Sequence, residues 1–333
     1  MTGHSQPVLE YKDFKLDFKV ETGLVTAVDG ISFKVLPGQI MGLVGESGCG
    51  KSVTSLSALR LLPKTAKYSG EINFKGENIL EFSQDSLEKI RGNKIAMIFQ
   101  EPMTALNPAF KIGDQISEVF INHQAMSKNE ALQESIKLLE KVGIPDPSKR
   151  AKEYPHQLSG GMRQRVMIAM ALACKPELLI ADEPTTALDV TIQAQILSLI
   201  KELQKEYQMA VLFITHDLGV VAEICDEVTV MYAGRIAEKA RVETIFSEPA
   251  HPYTVGLMSS RVTLSTSSSN PLATIAGSVP PIGQWPAGCR FENRCSKSSD
   301  KCIDHLPELE QTNKDHEVAC FNALECSTQS ENQ

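Results

Sequence analysis

The chain has 333 residues, of which 42% are hydrophobic and 22% charged, with 21 Gly and 17 Pro. At about 150 residues per domain this length points to roughly two domains, and the composition excludes a fibrous or broadly disordered chain. The balance of 33 Lys and Arg against 41 Asp and Glu, net −8, excludes nucleic acid as the main partner, because binding a phosphate backbone needs a basic excess.

The N-terminus, MTGHSQPVLEYKDFKLDF, lacks the apolar stretch behind a basic start that marks a secretory signal. The longest apolar run, residues 166–174, is about half of the roughly 18 to 20 residues a membrane-spanning helix needs. The expectation is therefore a cytosolic chain. In a reducing compartment, eight cysteines suggest metal more than disulfides, and five of them crowd the last 45 residues.

Residues 8–35 alternate apolar and polar, with Gly23 and Gly30 as punctuation, which predicts antiparallel strands. Pro37 and Gly38 mark a turn, the run 40–44 predicts a buried strand, and a helix is expected to start near Gly50. A second antiparallel pair is expected from 70–74 and 95–99. From Gln100 to about Ala171 the character is helical. Ser127 and Glu130 form a capping box before a helix in which Leu132, Ile136, Leu139 and Val142 recur, and Gly143 and Pro145 end it. The apolar runs in ELLIADE and AVLFITHD flank a helical stretch at 191–207, a βαβ rhythm that implies a parallel sheet and an α/β core. TLSTSSSN, residues 263–270, reads as a linker to a Cys-rich tail.

Gly45, Glu46, Ser47, Gly48, Cys49, Gly50, Lys51 and Ser52 fit G-x-x-x-x-G-K-[ST] between a predicted strand and a predicted helix. Glycines let backbone N–H groups converge on phosphates. Lys51 places a charge at the β- and γ-phosphates, and the Ser52 hydroxyl can ligate Mg²⁺. Cys49 is a small filler there. Further along, Asp182 ends an apolar run and suits the Mg²⁺ shell, while Glu183 can orient and deprotonate an attacking water.

Leu158-Ser159-Gly160-Gly161-Met162-Arg163-Gln164-Arg165 resembles the signature motif of ABC ATPases, and it lies between the phosphate loop and the acidic strand as that family requires. Gln100 in IFQEP resembles the Q-loop glutamine, Ala187-Leu188-Asp189 the D-loop, and His216 in FITHD the switch histidine. The resemblance covers about residues 8–252, and HQLSGGMRQRVMIAMAL and ADEPTTALDVTIQAQI are particularly similar to the peptide-permease subfamily of oligopeptide, dipeptide and nickel importers.

The resemblance implies a P-loop NTPase core with an antiparallel β subdomain and an inserted helical subdomain at about 101–170, the ATPase domain spanning 1–260 and an extension 261–333. It implies ATP held by residues 45–53, Val53 included, Mg²⁺ held by Ser52, Gln100 and Asp182, and Glu183, His216 and Gln100 as catalytic groups. Ser159, Gly160, Gly161 and Gln164 would contact the ATP of a partner ATPase, with Asp189 between the two sites. The implied partners are a paralogous ATPase subunit in a heterodimer, two transmembrane permease subunits and, through the complex, an extracytoplasmic substrate-binding protein. The chain would sit peripherally on the cytoplasmic face of the membrane. The family stacks an aromatic on adenine. The loop ETGLV has none, which leaves Phe18 or Tyr11.

From His251-Pro252-Tyr253 onward the chain looks like the carboxy-terminal extension of peptide-permease ATPases, which carries cysteines at similar intervals. Cys289, Cys295, Cys302 and Cys320 follow C-x5-C-x6-C-x17-C, unlike the C-x2-C pair of zinc ribbons. Thiolates admit Zn²⁺ or iron–sulfur, and the wide spacing favours a [4Fe-4S] cluster that staples the polar tail. His305 and His316 are substitute ligands or surface residues, and Cys326 is left over.

Two other classes fit less well. Chromosome-associated ABC ATPases carry coiled coils between the Gln100-like and Ser159-like motifs and ribosomal ones carry two cassettes, and neither occurs here. A GTPase would need N-K-x-D, whereas Asn313-Lys314-Asp315-His316 misplaces the acid.

Overall fold

The computed structural model describes residues 6–21, 23–100, 105–186, 188–260, 275–313 and 315–324. The expected linker at 263–270, Cys326 and Ala187 of the D-loop lie outside these.

Strands β1 (Leu9–Val20) and β2 (Gly23–Val35) pair antiparallel, as the alternation predicts. In β1 the alternation changes phase once: Leu9 and Tyr11 are buried, then Phe14 and Leu16. Asp13 takes φ 45° there, and the pairing to both neighbours slips register. A bulge turns the side-chain phase over, so both halves of the strand keep their apolar residues on the core face. Gly70, at φ 77°, faces this bulge, where a Cβ would stand 2.4 Å from the Asp13 carbonyl oxygen.

The expected antiparallel pairing of 70–74 with 95–99 does not occur. β4 (Ala66–Phe74) pairs with β1 and with β5 (Glu77–Asn78), while β6 (Ile95–Ile98) runs parallel to β7 (Leu178–Asp182) in a different sheet. The 70–74 segment mixes polar and apolar residues (Glu71, Ile72, Asn73, Phe74) whereas 95–98 is a continuous apolar run, and periodicity does not specify which distant strand either will join.

The larger sheet also contains β3 (Ile40–Val44), β8 (Ala210–Thr215), β9 (Glu227–Tyr232), β10 (Arg235–Arg241), β11 (Glu310–Asn313) and β12 (His316–Val318), in the order β11-β12-β10-β9-β3-β8-β7-β6. Its β6-β7-β8-β3-β9 part is parallel, and every residue of β3, β7 and β8 is buried, as expected for strands covered on both faces. Alternate residues serve two cores. Leu178, Ile180, Leu212 and Ile214 pack toward β1 and β2, whereas Leu179, Ala181, Val211 and Phe213 pack with the helices. Among those helices, Lys128–Lys141 begins with the predicted capping box: Ser127 Oγ accepts from Glu130 N at 3.4 Å and Glu130 Oε2 accepts from Ser127 N at 3.0 Å.

The sequence points to a metal staple for the polar tail, yet part of the extension is organised by the core sheet itself. Its β12 pairs antiparallel with β10, setting Val318 against Glu238 and His316 against Ala240. His316 is neither a surface residue nor a thiol-site ligand. It is 3% exposed, with Nε2 2.8 Å from Glu238 Oε1. The Glu238 carboxylate also accepts from the backbone N–H groups of Ala250 (2.7 Å) and His251 (3.0 Å), so one buried acid ties the extension to the core.

Candidate functional site

Gly45, Gly48 and Gly50 take φ values of 154°, 82° and 106°, which lets the loop between β3 and the helix Lys51–Ala58 curl back over the helix start. At Gly45 any side chain is excluded, since a Cβ would lie 2.3 Å from the Met231 carbonyl oxygen. Lys51 is 5% exposed and donates from Nζ to the carbonyls of Gly45 (2.8 Å) and Glu46 (3.0 Å), so its charge sits inside the curl. Cys49 is buried, which pushes its thiol up and keeps it protonated, in keeping with a filler.

Ser52 Oγ donates to Asp182 Oδ1 at 3.2 Å, bringing together a hydroxyl and a carboxylate from two elements 130 residues apart. Burial pushes the Asp182 carboxyl above its usual range and the adjacent Glu183 charge adds to that, against the Ser52 donation. Hard oxygen donors around a buried carboxylate fit Mg²⁺, whose charge would offset the cost of ionising Asp182.

β7 ends at Asp182, and Glu183 takes φ 47°, with its N–H donating to the Ile214 carbonyl at 2.9 Å. That left-handed turn swings the Glu183 side chain off the strand into a cleft of about 640 Å³ lined by Gly45, Glu46, Ser47, Gln100, Thr186 and His216, among others. There Glu183 Oε2 accepts from Gln100 Nε2 at 3.1 Å and Thr186 Oγ1 at 2.9 Å, and Oε1 lies 3.1 Å from His216 Nδ1. Burial alone would raise its pKa, but the His216 and Thr186 hydrogen bonds and the Lys51 charge outweigh that and hold it below the ordinary carboxylate range. The result is an ionised carboxylate facing the phosphate loop, oriented by three side chains, which is the arrangement a general base for water requires.

The signature residues stand elsewhere. Ser159 caps the helix Gly160–Leu172, accepting from Met162 N at 3.3 Å, and Ser159 and Gly160 are exposed and outside the cleft. A Cβ on Gly160 would meet nothing, whereas one on Gly161 would stand 2.9 Å from Ile192 Cγ2, so Gly161 permits close packing on the helix Val190–Tyr207. Gln164 departs from the expectation: it is 2% exposed and faces inward, because the fifth residue of this helix turns to the core side. Asp189 caps the helix Val190–Tyr207, accepting from Ile192 N at 3.0 Å. Tyr11 is also corrected. It is 1% exposed, stacked on Phe33, and donates its hydroxyl to the Thr54 carbonyl, so no adenine can reach it. Phe18 is half-buried and packs against the same core.

Cys289 and Cys302 are buried and Cys295 and Cys320 half-buried, and all four are free thiols. Burial and the three neighbouring thiols push Cys320 up to about 11. They share one neighbourhood, but among the described residues no group of three or more His, Cys, Asp or Glu side chains is arranged to hold a metal ion. The expectation of a formed cluster site is not met at the level of ligand geometry.

Three site residues carried no sequence signal. Thr186 lies within EPTT, where no motif position assigns it a hydrogen bond to Glu183. The Tyr253 hydroxyl accepts from Glu46 N at 2.9 Å, and Arg294 reaches the Glu46 carboxylate, from 207 and 248 residues away.

Residues 28–186 match the ABC transporter family, and residues 237–302 match the family described as the oligopeptide/dipeptide transporter C-terminal region. The chain is 51% identical over 320 residues to a probable peptide ABC transporter ATP-binding protein, y4tR, of Sinorhizobium fredii, covering 96% of each chain. It is 46% identical to the oligopeptide transport ATP-binding protein OppD of Salmonella typhimurium, covering 96% of this chain and 94% of that one. Among solved structures it resembles the ATP-binding cassette MJ0796 in a dimeric post-hydrolysis state bound to ADP and Pi, with a TM-score of 0.63 and 27% identity over 70% of this chain and 98% of that one. With a phosphate loop, an acidic strand end and an oriented carboxylate in one cleft, the chain belongs to the ABC transporter ATP-binding family, in the branch that carries the oligopeptide/dipeptide transporter C-terminal region.

Proposed function

We propose that this chain is the ATP-hydrolysing subunit of a peptide importer. The observation that carries the reading is the cleft in which Gln100, Thr186 and His216 orient an ionised Glu183 against the loop of Lys51. The names of relatives such as OppD supply the cargo class. Residues 45–53 hold ATP, and Ser52 and Asp182, with Gln100 across the cleft, would hold Mg²⁺, which when bound would supply charge neutralisation at the phosphates. Glu183 takes a proton from the attacking water, and His216 steadies that carboxylate.

Ser159 and Gly160, exposed, and the half-buried Gly161, all away from their own cleft, contact the ATP of a paralogous ATPase subunit, with Asp189 near the junction. Supporting this, a helix start offers unpaired N–H groups to an anion. No helix among the described residues is long and apolar enough to cross a membrane. The power stroke is delivered to two permease subunits. The groove lined in part by Leu61, Phe99, Leu106 and Met167 is mostly apolar and includes the neighbour of Gln100, which supports it as the surface that meets them. The complex works from the cytoplasmic face of the membrane and receives cargo from an extracytoplasmic binding protein. Cys289, Cys295, Cys302 and Cys320 would hold a [4Fe-4S] cluster as a structural cross-link once their thiols converge on it, with Zn²⁺ the other thiolate-compatible choice. Their shared neighbourhood supports this.

The test is uptake in cells lacking the chain. Complementation by wild type, with failure by Glu183→Gln, is expected for labelled di- and oligopeptides. Loss of nickel uptake with intact peptide uptake would assign the nickel branch instead.

A further inference from the structure

Glu46 places a carboxylate within the phosphate loop. Its carbonyl accepts from Lys51 Nζ at 3.0 Å, so the residue stands at the charged end of the lysine that meets the phosphates. An unscreened negative charge there opposes a polyanionic ligand. Arg294, from the extension, covers it. The two terminal guanidinium nitrogens donate to the two Glu46 carboxylate oxygens at 2.7 and 3.0 Å, a forked pair with geometric as well as electrostatic specificity.

The Arg294 side chain is only 5% exposed. Its Nε donates to the Ala276 carbonyl at 2.8 Å, and its terminal nitrogens also reach the Ile275 carbonyl and the Tyr232 hydroxyl, each at 3.3 Å. The guanidinium is thus fixed by five acceptors, and Glu46 supplies the one carboxylate among its partners in the described residues. The Tyr253 hydroxyl, accepting from Glu46 N, holds the same residue from the backbone side.

We propose that Arg294 is a positioning residue of the nucleotide site: it neutralises Glu46 and fixes the start of the phosphate loop, so that the extension takes part in ATP binding. The proposal rests on the reading of residues 45–52 as the ATP loop. Its electrostatic core sets it apart from a purely structural role. Loss of Arg294 exposes the Glu46 charge, so the penalty grows with the charge of the nucleotide, shrinks with added salt, and disappears when Glu46 is neutral.

The test is the affinity of the full-length chain for MgATP and MgADP, measured by calorimetry at low and high salt. Arg294→Ala, and Arg294→Met, which keeps a buried apolar stem, are expected to weaken MgATP about tenfold, the scale of one half-buried unit charge. MgADP should weaken less, and Glu46→Gln added to either variant should restore MgATP binding to within about threefold. Lys51→Ala should abolish tight binding in every background. Wild-type MgATP affinity in folded Arg294 variants, equal losses for both nucleotides at both salts, or failure of Glu46→Gln to rescue would each overturn the proposal. Unchanged MgATP affinity in Lys51→Ala would withdraw the loop assignment itself, and this proposal with it.

Discussion

Glu183→Gln separates the chemistry of the cleft from its architecture. The wild-type carboxylate makes three side-chain contacts, to Gln100 and Thr186 at Oε2 and to His216 at Oε1. A carboxamide can keep its oxygen toward the Gln100 and Thr186 donors and turn its NH₂ toward His216, whose Nδ1 accepts in the matching tautomer. No buried group is left unpaired, so stability should change by no more than about 1 kcal/mol. What disappears is the proposed base. General-base assistance contributes roughly 10²- to 10⁴-fold, or about 2.7 to 5.5 kcal/mol of barrier. Phosphate release by the assembled transporter in proteoliposomes should fall by that factor, while the isolated full-length chain binds MgATP as before. Turnover within about threefold of wild type, with normal assembly, would remove Glu183 from the role of base. The pH dependence follows from sign. The Glu183 pKa lies below its ordinary 4.5, so the base is ionised throughout the neutral range. Its stabilising interactions are present above the unfolded value and are lost only as pH falls through the lower folded one. An activity loss on moderate acidification therefore belongs to another group.

Three further outcomes are expected. Glu238→Leu strands the Ala250 and His251 N–H groups and His316 Nε2, and at about 1 to 3 kcal/mol per stranded buried donor it should cost about 3 kcal/mol or more. Urea unfolding with an unchanged midpoint would show that the acid does not anchor the extension. Ser159→Ala in one subunit of a mixed complex should impair hydrolysis of ATP held by the other subunit's loop, read by site-specific nucleotide trapping; loss confined to the Lys51 site of the same chain would contradict the shared-site reading. Cys295→Ser should abolish iron and sulfide in anaerobically purified protein while leaving MgATP binding at Lys51 intact. Stoichiometric zinc without iron would replace the cluster by a single ion, and wild-type protein without metal would leave four ordinary thiols.

The sequence by itself determined what depends on local order along the chain. A phosphate loop is a short string whose glycines and lysine act through adjacent backbone, so Gly45 to Ser52 were legible, as were the β1–β2 alternation, the Ser127–Glu130 cap and the buried strand before Asp182. Tertiary structure decided which distant segments meet. Strand partners are chosen by the whole sheet, so β4, which mixes polar and apolar residues, and β6, a continuous apolar run, went to different sheets. β11 is polar and exposed throughout, and only the edge offered by β10, through β12, makes it a strand. The inward turn of Gln164, the burial of His316 on Glu238, and the reach of Tyr253 and Arg294 to Glu46 likewise depend on contacts across many tens to hundreds of residues. Local propensity acts over a few residues, whereas burial and charge pairing act over distances in space, and only the folded chain converts one into the other.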